Sequence, residues 1–599
     1  MKKIFSIIIL PLLVAGCINL DYVESSSLTS AALKSNPGAA VYTTDGIYAM
    51  MKDMATFRNG YSQNNTFVRQ YYLLSELKGD NICYSNTSTD PFWAAATYMD
   101  DANSANSAYM WVICYKLIST ANSNISGLEE DSALNKQLKG ENYFLRAFFH
   151  FTLCNLFAKP YSFGADNPGV VLRIGTDYSV TKRSTVGECY DAIEADLLEA
   201  IRLMAEGTRR GDNGYATKEA AQALLARLYL YKGEWQKCVD VCDELLGSDP
   251  ASHLESEVTT LYSTVPSSKE VIWCVDITES DIANMPPKGN LASLYDSPDG
   301  TQLTGWGELY VADPLLDLME RFPQDKRYST LVRLHNSTPG LCINWGVLDD
   351  VNNCLTQSIA LPDVDVAAGT VTSSVTANPD GTFSFTKDGT AYIASPDNTA
   401  TKVCNDFPGY ILNDAAHTRC YVRHVMPTPT ITSKGAVVWA STGTSIREGG
   451  YPTWFCEKFS HQTNISSPIS SSHIMLRYGE VILNRAEAYA HMGGKDAQAL
   501  ADVNVMRTRA GLTGDAQMTS ANMAGRGYNS VLDAVLDERR LEFYYEGFRV
   551  MDLMRNQKDI DRRFPSRATC EVIRYNDPRI QYQIPIDETS VSGIPINER

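Results

Sequence analysis

Three carboxylates near the end of the chain have a spacing suited to acid–base chemistry. Glu538, Glu542 and Glu546 fall at i, i+4 and i+8 within ERRLEFYYEGFR, so a continuous helix would set them on one face. Glycoside hydrolysis uses such a pair, one carboxyl as acid and the other as base or nucleophile. Two arguments oppose that use. Arg539, Arg540 and Arg549 stand among them, and a carboxyl held by a guanidinium stays ionised, the wrong state for a general acid. Hydrolases also place their two carboxyls on opposed elements across a cleft. The stretch therefore reads as a hydrogen-bonded charge network locking the last repeat to the body, with no catalytic residue. Elsewhere there is no glycine-rich phosphate loop, no nucleophile elbow and no HExxH-type histidine arrangement. Cys238 and Cys242 lie one helical turn apart, where a disulfide is awkward and a metal would need further ligands. No cofactor and no metal are expected, and most cysteines read as small buried hydrophobes.

Without catalysis, binding remains, and large aromatics outside periodic segments are the candidates for it. A pyranose offers an apolar C–H face that stacks on Trp or Tyr while neighbouring polar groups take its hydroxyls. Trp93 lies in the polar stretch NICYSNTSTDPFW and Trp306 in LTGWG between glycines, both read as loops. Tyr84, Asn86 and Phe92 around the first, and Tyr295 ahead of the second, complete the candidate set. Each tryptophan is either a ligand platform or a packed loop anchor. Trp345 and Trp439 are weaker candidates. Trp111, with Tyr115 and Ile118 at helical spacing, reads as core.

The elements that must position these residues are mostly helical. Apolar residues recur at three- and four-residue spacing over Val41–Phe57, Trp111–Asn122, Lys136–Phe157, Val186–Met204, Thr217–Lys232 and Glu234–Leu246. Within 217–246, Ala220, Ala223 and Ala226 line one face, Gly233 marks a turn, and Trp235 and Cys238 open the next face. That is the tetratricopeptide pattern of two antiparallel helices packed small against large. A looser copy runs through 474–510, with Ala486, Ala488 and Ala490 before Gly493-Gly494 and Ala497, Ala499 and Ala501 after it. Between 335 and 455 the texture changes. Val371–Ala377, Thr382–Thr386 and Thr390–Ala394 alternate, separated by turn signals at 378–381 and 387–389, which predicts a small β-meander.

The chain has 599 residues, 44% hydrophobic and 20% charged, with a formal charge of −18 and pI near 5.0. Such acidity opposes binding to nucleic acid or to anionic headgroups. The leader MKKIFSIIILPLLVAGC has a basic start, an apolar run too short to span a bilayer, and small residues before Cys17. It reads as a signal peptide (1–16) cut before an acylated Cys17, followed by a polar tether over 17–40. The remainder divides into a helical repeat region (41–334), a loop and β insertion (335–455), and a helical C-terminal region (456–599) completing the same body.

Five separated motifs occur in order: the lipobox at Cys17, ENYFLRAFFHFTLCNLFAKPYS at 141–162, NVMRTRAGL at 504–512, ERRLEFYYEGFRVMDLMR at 538–555 and IPI at 584–586. Together they resemble the SusD/RagB family of surface nutrient-binding lipoproteins of Bacteroidetes-type bacteria, and the resemblance spans both ends of the chain. It departs at Ala158-Lys159, where the family more often has Gly-Asp, and the 335–455 insertion matches nothing in the pattern. The resemblance implies a mainly α, SusD-like scaffold that binds and does not cut, with ligand aromatics in the regions of Trp93 and Trp306. It also implies an outer-membrane location through the lipid anchor, an oligosaccharide ligand and a TonB-dependent, SusC-like β-barrel transporter as partner. A peptide or glycopeptide receptor of the same fold, a glycan hydrolase and a surface-layer subunit are the other readings.

Overall fold

In a computed structural model, the residues described are 37–53, 65–85, 88–282 (except 178, 180, 206, 208 and 210), 289–296, 306–334, 454–463, 470–563 and 571–599. Strands and a turn are also described at 341–349, 354–360, 376–380, 382–387, 390–396, 410–412, 436–442, 446–447 and 451–452. The leader, Cys17 and Asn86 lie outside them. The long helices are α1 (Pro37–Lys52), α2 (Phe67–Glu76), α3 (Ala105–Gly127), α4 (Ala133–Phe157), α5 (Val186–Leu203), α6 (Lys218–Lys232), α7 (Trp235–Leu246), α8 (Tyr478–His491), α9 (Asp496–Arg509), α10 (Val531–Phe543), α11 (Arg549–Arg555) and α12 (Ile586–Ser592). The fold is mainly helical, as the periodicity predicts. Helix α1 begins four residues earlier than expected, at Pro37, a residue that suits the first helical position. Among the described residues no helix is long and apolar enough to cross a membrane.

Local chemistry fixes several helix ends. The Thr185 hydroxyl accepts the Glu188 N–H at 3.1 Å while the Glu188 carboxylate accepts the Thr185 N–H at 2.8 Å, a complete capping box for α5. Ser132 caps α4 through the Asn135 N–H and Thr217 caps α6 through the Ala220 N–H. At the other end of α6, Gly233 takes φ +79°, a left-handed cap that a residue with a Cβ adopts only with strain.

Helix α4 is the centre of the body. It packs between α3 and α5 and buries Phe144, Phe148, Phe149 and Phe151, with Phe144 and Phe148 meeting the Trp273 ring edge-on at 4.9 and 5.0 Å. Its one buried arginine, Arg146, is paid in full by Asp196 of α5 at 2.8 and 2.6 Å and by Asn122 of α3 at 2.7 Å. The two predicted hairpins, α6/α7 and α8/α9, pack against each other through α7 and α8. Trp235 stacks on His491 with ring centroids 4.1 Å apart, and Arg227 of α6 pairs with Glu480 of α8 at 2.7 Å. Cys238 and Cys242 are buried here as free thiols, as are Cys83, Cys114, Cys154, Cys189, Cys274 and Cys456.

Strands join segments far apart in sequence. β1 (Ile82–Tyr84) and β2 (Val271–Val275) pair antiparallel with β3 (Leu309–Val311) and with His473–Arg477 respectively, and β4 (Val332–Leu334) pairs with Trp454–Cys456. Between them lie the strands of the predicted insertion. β5 (Leu341–Asp349) is the middle strand of a three-stranded sheet, flanked by β6 (Cys354–Ala360) and by Ala436–Thr442. β7 (Thr376–Ala377), β8 (Phe383–Lys387), β9 (Thr390–Pro396) and β10 (Tyr410–Leu412) form an antiparallel meander, with Lys387 facing Thr390 across the β8/β9 pair. The expected strands at 382–386 and 390–394 therefore appear as β8 and β9, most of the one expected at 371–377 lies outside the described residues, and a three-stranded sheet accompanies them that the sequence reading did not anticipate.

Gly233→Val is expected to lower stability by about 1–3 kcal/mol through the strained φ. A Cβ there would meet the Trp235 ring at an ordinary 3.6 Å, so sterics add little. Thermal or urea unfolding checks this; an unchanged midpoint would contradict the cap.

Candidate functional site

The carboxylates of the C-terminal motif are held differently from expectation. Helix α10 ends at Phe543, because Tyr544 turns extended (φ −53°, ψ 138°) and Tyr545 and Gly547 take φ +67° and +83°. Glu546 therefore lies beyond the helix, yet it points into the same cluster as Glu538 and Glu542. The cations holding the three also come from elsewhere. Arg327 donates to Glu538 at 2.7 Å and to Glu542 at 3.1 Å, and Arg507 donates to Glu538 at 2.9 Å. Arg477 donates to Glu542 at 2.7 Å and to Glu546 at 3.0 Å, Arg509 pairs with Glu542, and Lys458 donates to Glu546 at 2.8 Å. The expected partners serve other acids: Arg539 pairs with Asp552, while Arg540 and Arg549 pair with Asp80. Adjacent positions on a helix point apart, so a neighbouring arginine in sequence is the wrong partner in space.

Glu538, Glu542 and Glu546 and the five cations that hold them are all buried, and Arg549 is partly exposed. Burial alone would raise the Glu542 pKa, and Arg509, Arg477, Arg327 and Lys458 outweigh it, holding the carboxyl well below its ordinary range. Glu546 is likewise lowered against burial, by Arg477 and Lys458. Neither carries the proton that a general acid must give away.

The two aromatic regions, separated by more than two hundred residues, are brought to one edge. β1 pairs with β3 in the register Ile82↔Val311, Cys83↔Tyr310 and Tyr84↔Leu309. Beyond the ladder, the Ser85 N–H donates to the Glu308 carbonyl at 2.9 Å, and the Ser88 hydroxyl to the Glu308 carboxylate at 2.9 Å. Trp306 lies three residues before β3, and its N–H donates to the Ser293 carbonyl at 2.9 Å. Asn290 caps the short helix Leu291–Tyr295 that carries Ser293, and its amide donates to the Ser471 carbonyl at 3.0 Å. On the other side Asp90 accepts the Phe92 N–H at 3.1 Å and pairs with Arg69, whose guanidinium lies 4.5 Å from the Phe92 ring centre.

The candidates separate by burial. Trp306 is 40% exposed and is the exposed tryptophan among the described residues. Trp93 opens a helical turn, Trp93–Ala96, and is half-buried against the main core, where a loop was expected. Tyr84, Phe92 and Tyr295 are buried, so none offers a ring face to solution. Tyr295 meets Tyr545 edge-on at 4.7 Å and leans on Phe459 at 5.5 Å. Trp345 and Trp439 lie in adjacent paired strands, with Trp439 facing Asn344 in register; their side chains lie outside the described residues, as does Asn86. Trp111 is core as expected: it meets Phe157 edge-on at 5.0 Å and donates to Glu588 at 3.2 Å. Glu308, which fastens the two regions, has no sequence signal; only the strand pairing reveals it.

Two consequences of the charge cluster are measurable. Arg477→Met removes a cation shared by Glu270, Glu542 and Glu546, leaves the buried cluster one positive charge short, and is expected to cost about 3–5 kcal/mol. Glu542 has a folded pKa below its unfolded value of 4.5, so its contribution to stability is complete above that pH and is lost as pH falls through the folded value. Unfolding midpoints across pH 3–7 (a range of about four units) should fall on the acid side, and Glu542→Gln should flatten that slope. An acid slope unchanged in the variant would contradict the assignment.

Comparison with known proteins follows the same lines. The family model described as the SusD family matches residues 371–594, and one described as starch-binding associating with outer membrane matches 46–230. Two curated relatives from Formosa agariphila, SusD-like protein P2 and SusD-like protein P25, are 24% and 23% identical over 288 and 211 residues. Those matches cover 46% and 35% of this chain and 53% and 39% of the relatives, so the chain spans about half the length of the first and less of the second. Among solved structures, a SusD superfamily protein from Bacteroides vulgatus superposes with TM-score 0.64 at 19% identity, covering 95% of this chain and 99% of that one. One from Bacteroides thetaiotaomicron gives the same score and identity over 96% and 100%. A laminarin-binding SusD-like protein gives 0.57 at 17% identity over 94% and 99%. With models of the family matching residues 46–230 and 371–594, together more than half of its length, this chain belongs to the SusD/RagB family.

Proposed function

We propose that the chain is a glycan-binding lipoprotein of the cell surface that captures its ligand without cutting it. In this reading Cys17 carries the lipid anchor at the outer membrane. An oligosaccharide stacks at the edge formed by the 82–97 and 289–311 segments and passes to a TonB-dependent, SusC-like transporter. The two helical hairpins are read as repeats of the scaffold. The observation that carries the binding reading is Trp306: a large indole, 40% exposed, on a segment anchored at Ser293 and at the β1/β3 ladder. Leaving such a ring in water has a hydration cost that a stacked sugar face removes. The starch-binding description of the matched model and the laminarin-binding structure of the same fold support a saccharide ligand. Against catalysis stands the pairing of every carboxyl in the C-terminal motif with cations.

Trp306→Ala is expected to fold normally and to lose about 2 kcal/mol of binding, roughly thirtyfold, for the oligosaccharide that the wild type binds from a neutral panel including laminarihexaose and maltohexaose. Trp111→Ala, the buried control, should instead lose about 3–5 kcal/mol of stability. Trp93→Ala should do some of both. Melting temperature and calorimetric titration on the three variants separate these outcomes. Normal binding by both Trp93→Ala and Trp306→Ala would move the site elsewhere.

A further inference from the structure

A cavity of about 950 Å³ lies away from the aromatic edge, between the C-terminal end of α4 and the tail that follows α12. One wall is Phe157–Lys159, Asn167–Pro168 and Thr181–Arg183; the other is Asn576, Pro578, Gln581 and the tail 592–599. Its volume lies at the upper end of the range of small-molecule sites, about 300–1,000 Å³.

Its charge is opposite to that of the chain. Lys159, Lys182, Arg183 and Arg599 line it, with Glu598 as the one acid in the lining, in a protein of net charge −18. Arg599 is paired with Asp100 at 2.7 Å. The other three cations have no ion pair among the described residues. Arg183 is held entirely by neutral groups: it donates to the Gly169 carbonyl at 2.6 Å, the Asn597 side chain at 2.7 Å and the Pro168 carbonyl at 3.1 Å, which fixes its position and leaves its charge unspent. Lys159 and Lys182 are exposed and have no hydrogen bond or ion pair among the described residues.

The walls are built before any ligand arrives. The Asn597 amide donates to the Phe157 carbonyl at 2.9 Å and to the Tyr582 carbonyl at 2.8 Å, tying the tail to α4 and to the segment before α12. Beside the cations stand the amides of Asn167, Asn576 and Gln581, and apolar surface from Pro168, Pro578, Pro595 and the half-exposed Ile596. A lone inorganic anion would use the charge and leave the amides and apolar walls idle. A sugar acid uses all three: anion to lysine, hydroxyls to amides, ring C–H groups to proline.

We propose that this cavity is a second ligand site, specific for an acidic oligosaccharide that carries uronate or sulfate-ester groups. It extends the glycan-binding reading to a charged site distinct from Trp306.

The test uses the full chain and three probes: tetragalacturonate for the uronate, a chondroitin sulfate tetrasaccharide for the sulfate ester, and laminarihexaose as a neutral control. The wild type should bind at least one acidic probe, more weakly as salt rises. The double variant Lys159→Gln/Lys182→Gln should weaken that binding about tenfold or more, with an unchanged melting temperature and no effect on any neutral binding. Which acidic probe responds identifies the anion. Trp306→Ala should leave acidic binding in place, so failure of the aromatic reading and failure of this one are told apart. The proposal is overturned if neither acidic probe binds, if the lysine variant binds them as the wild type does, or if acidic binding disappears with Trp306→Ala and survives the lysine variant.

Discussion

Burying five carboxylates together requires five cations beside them, and that requirement organises the C-terminal half of the protein. Glu270, Asp325, Glu538, Glu542 and Glu546 are met by Arg327, Lys458, Arg477, Arg507 and Arg509, so the cluster is neutral overall while every member is withdrawn from water. Arg477 is its hub, touching Glu270, Glu542 and Glu546 at 3.2, 2.7 and 3.0 Å. The fit leaves little room: a Cβ on Gly479 would stand 2.6 Å from the Arg477 guanidinium. Desolvating so many charges gains little net stability, but removing one leaves an uncompensated charge in the buried cluster at high cost. The cluster therefore acts as a constraint on which segments meet.

The aromatic edge is built outward from that cluster. Tyr545, left-handed between Glu542 and Glu546, packs edge-on against Tyr295. Tyr295 ends the short helix whose Ser293 carbonyl accepts the Trp306 N–H. From the other side, the Glu76 carboxylate at the end of α2 accepts the Gly547 N–H at 2.9 Å, fixing the chain just before it enters β1. Burial raises the Glu76 pKa to about 7, against the hydrogen bonds that favour its charged form. Both strands beside Trp306 are thus tied to the turn that carries Tyr545 and Gly547, and an exposed ring is held on a rigid support.

What the sequence made legible was local. Thr217 and Gly233 bound α6 through a cap and a left-handed turn, each settled within a few residues. The helical period placed α4 to α7 closely and caught only the middle of α3, Trp111–Asn122 of Ala105–Gly127, and Trp235 proved to be the aromatic joining the two hairpins. What stayed hidden was pairing at long range. Arg327 reaches Glu538 from 211 residues away, and nothing in ERRLEFYYEGFR says that its own arginines turn to other acids. The same limit applied at the aromatic edge. Polar neighbours made the Trp93 stretch read as an exposed loop, whereas pairing of β1 with β3 draws Tyr84 and Phe92 inward and leaves Trp306 outside. The family resemblance supplied the two regions; the ladder between them needed coordinates.

The central claim is that the carboxylates of 538–546 build the frame and that ligand contacts the edge the frame supports. Hydrogen exchange of the full chain, with and without a saturating neutral oligosaccharide, tests it in one experiment. The account predicts new protection in the peptides covering 82–97 and 289–311, with 538–546 equally slow in both states because it is already buried and bonded. Ligand-dependent protection centred on 538–546, with none at the edge, would contradict it.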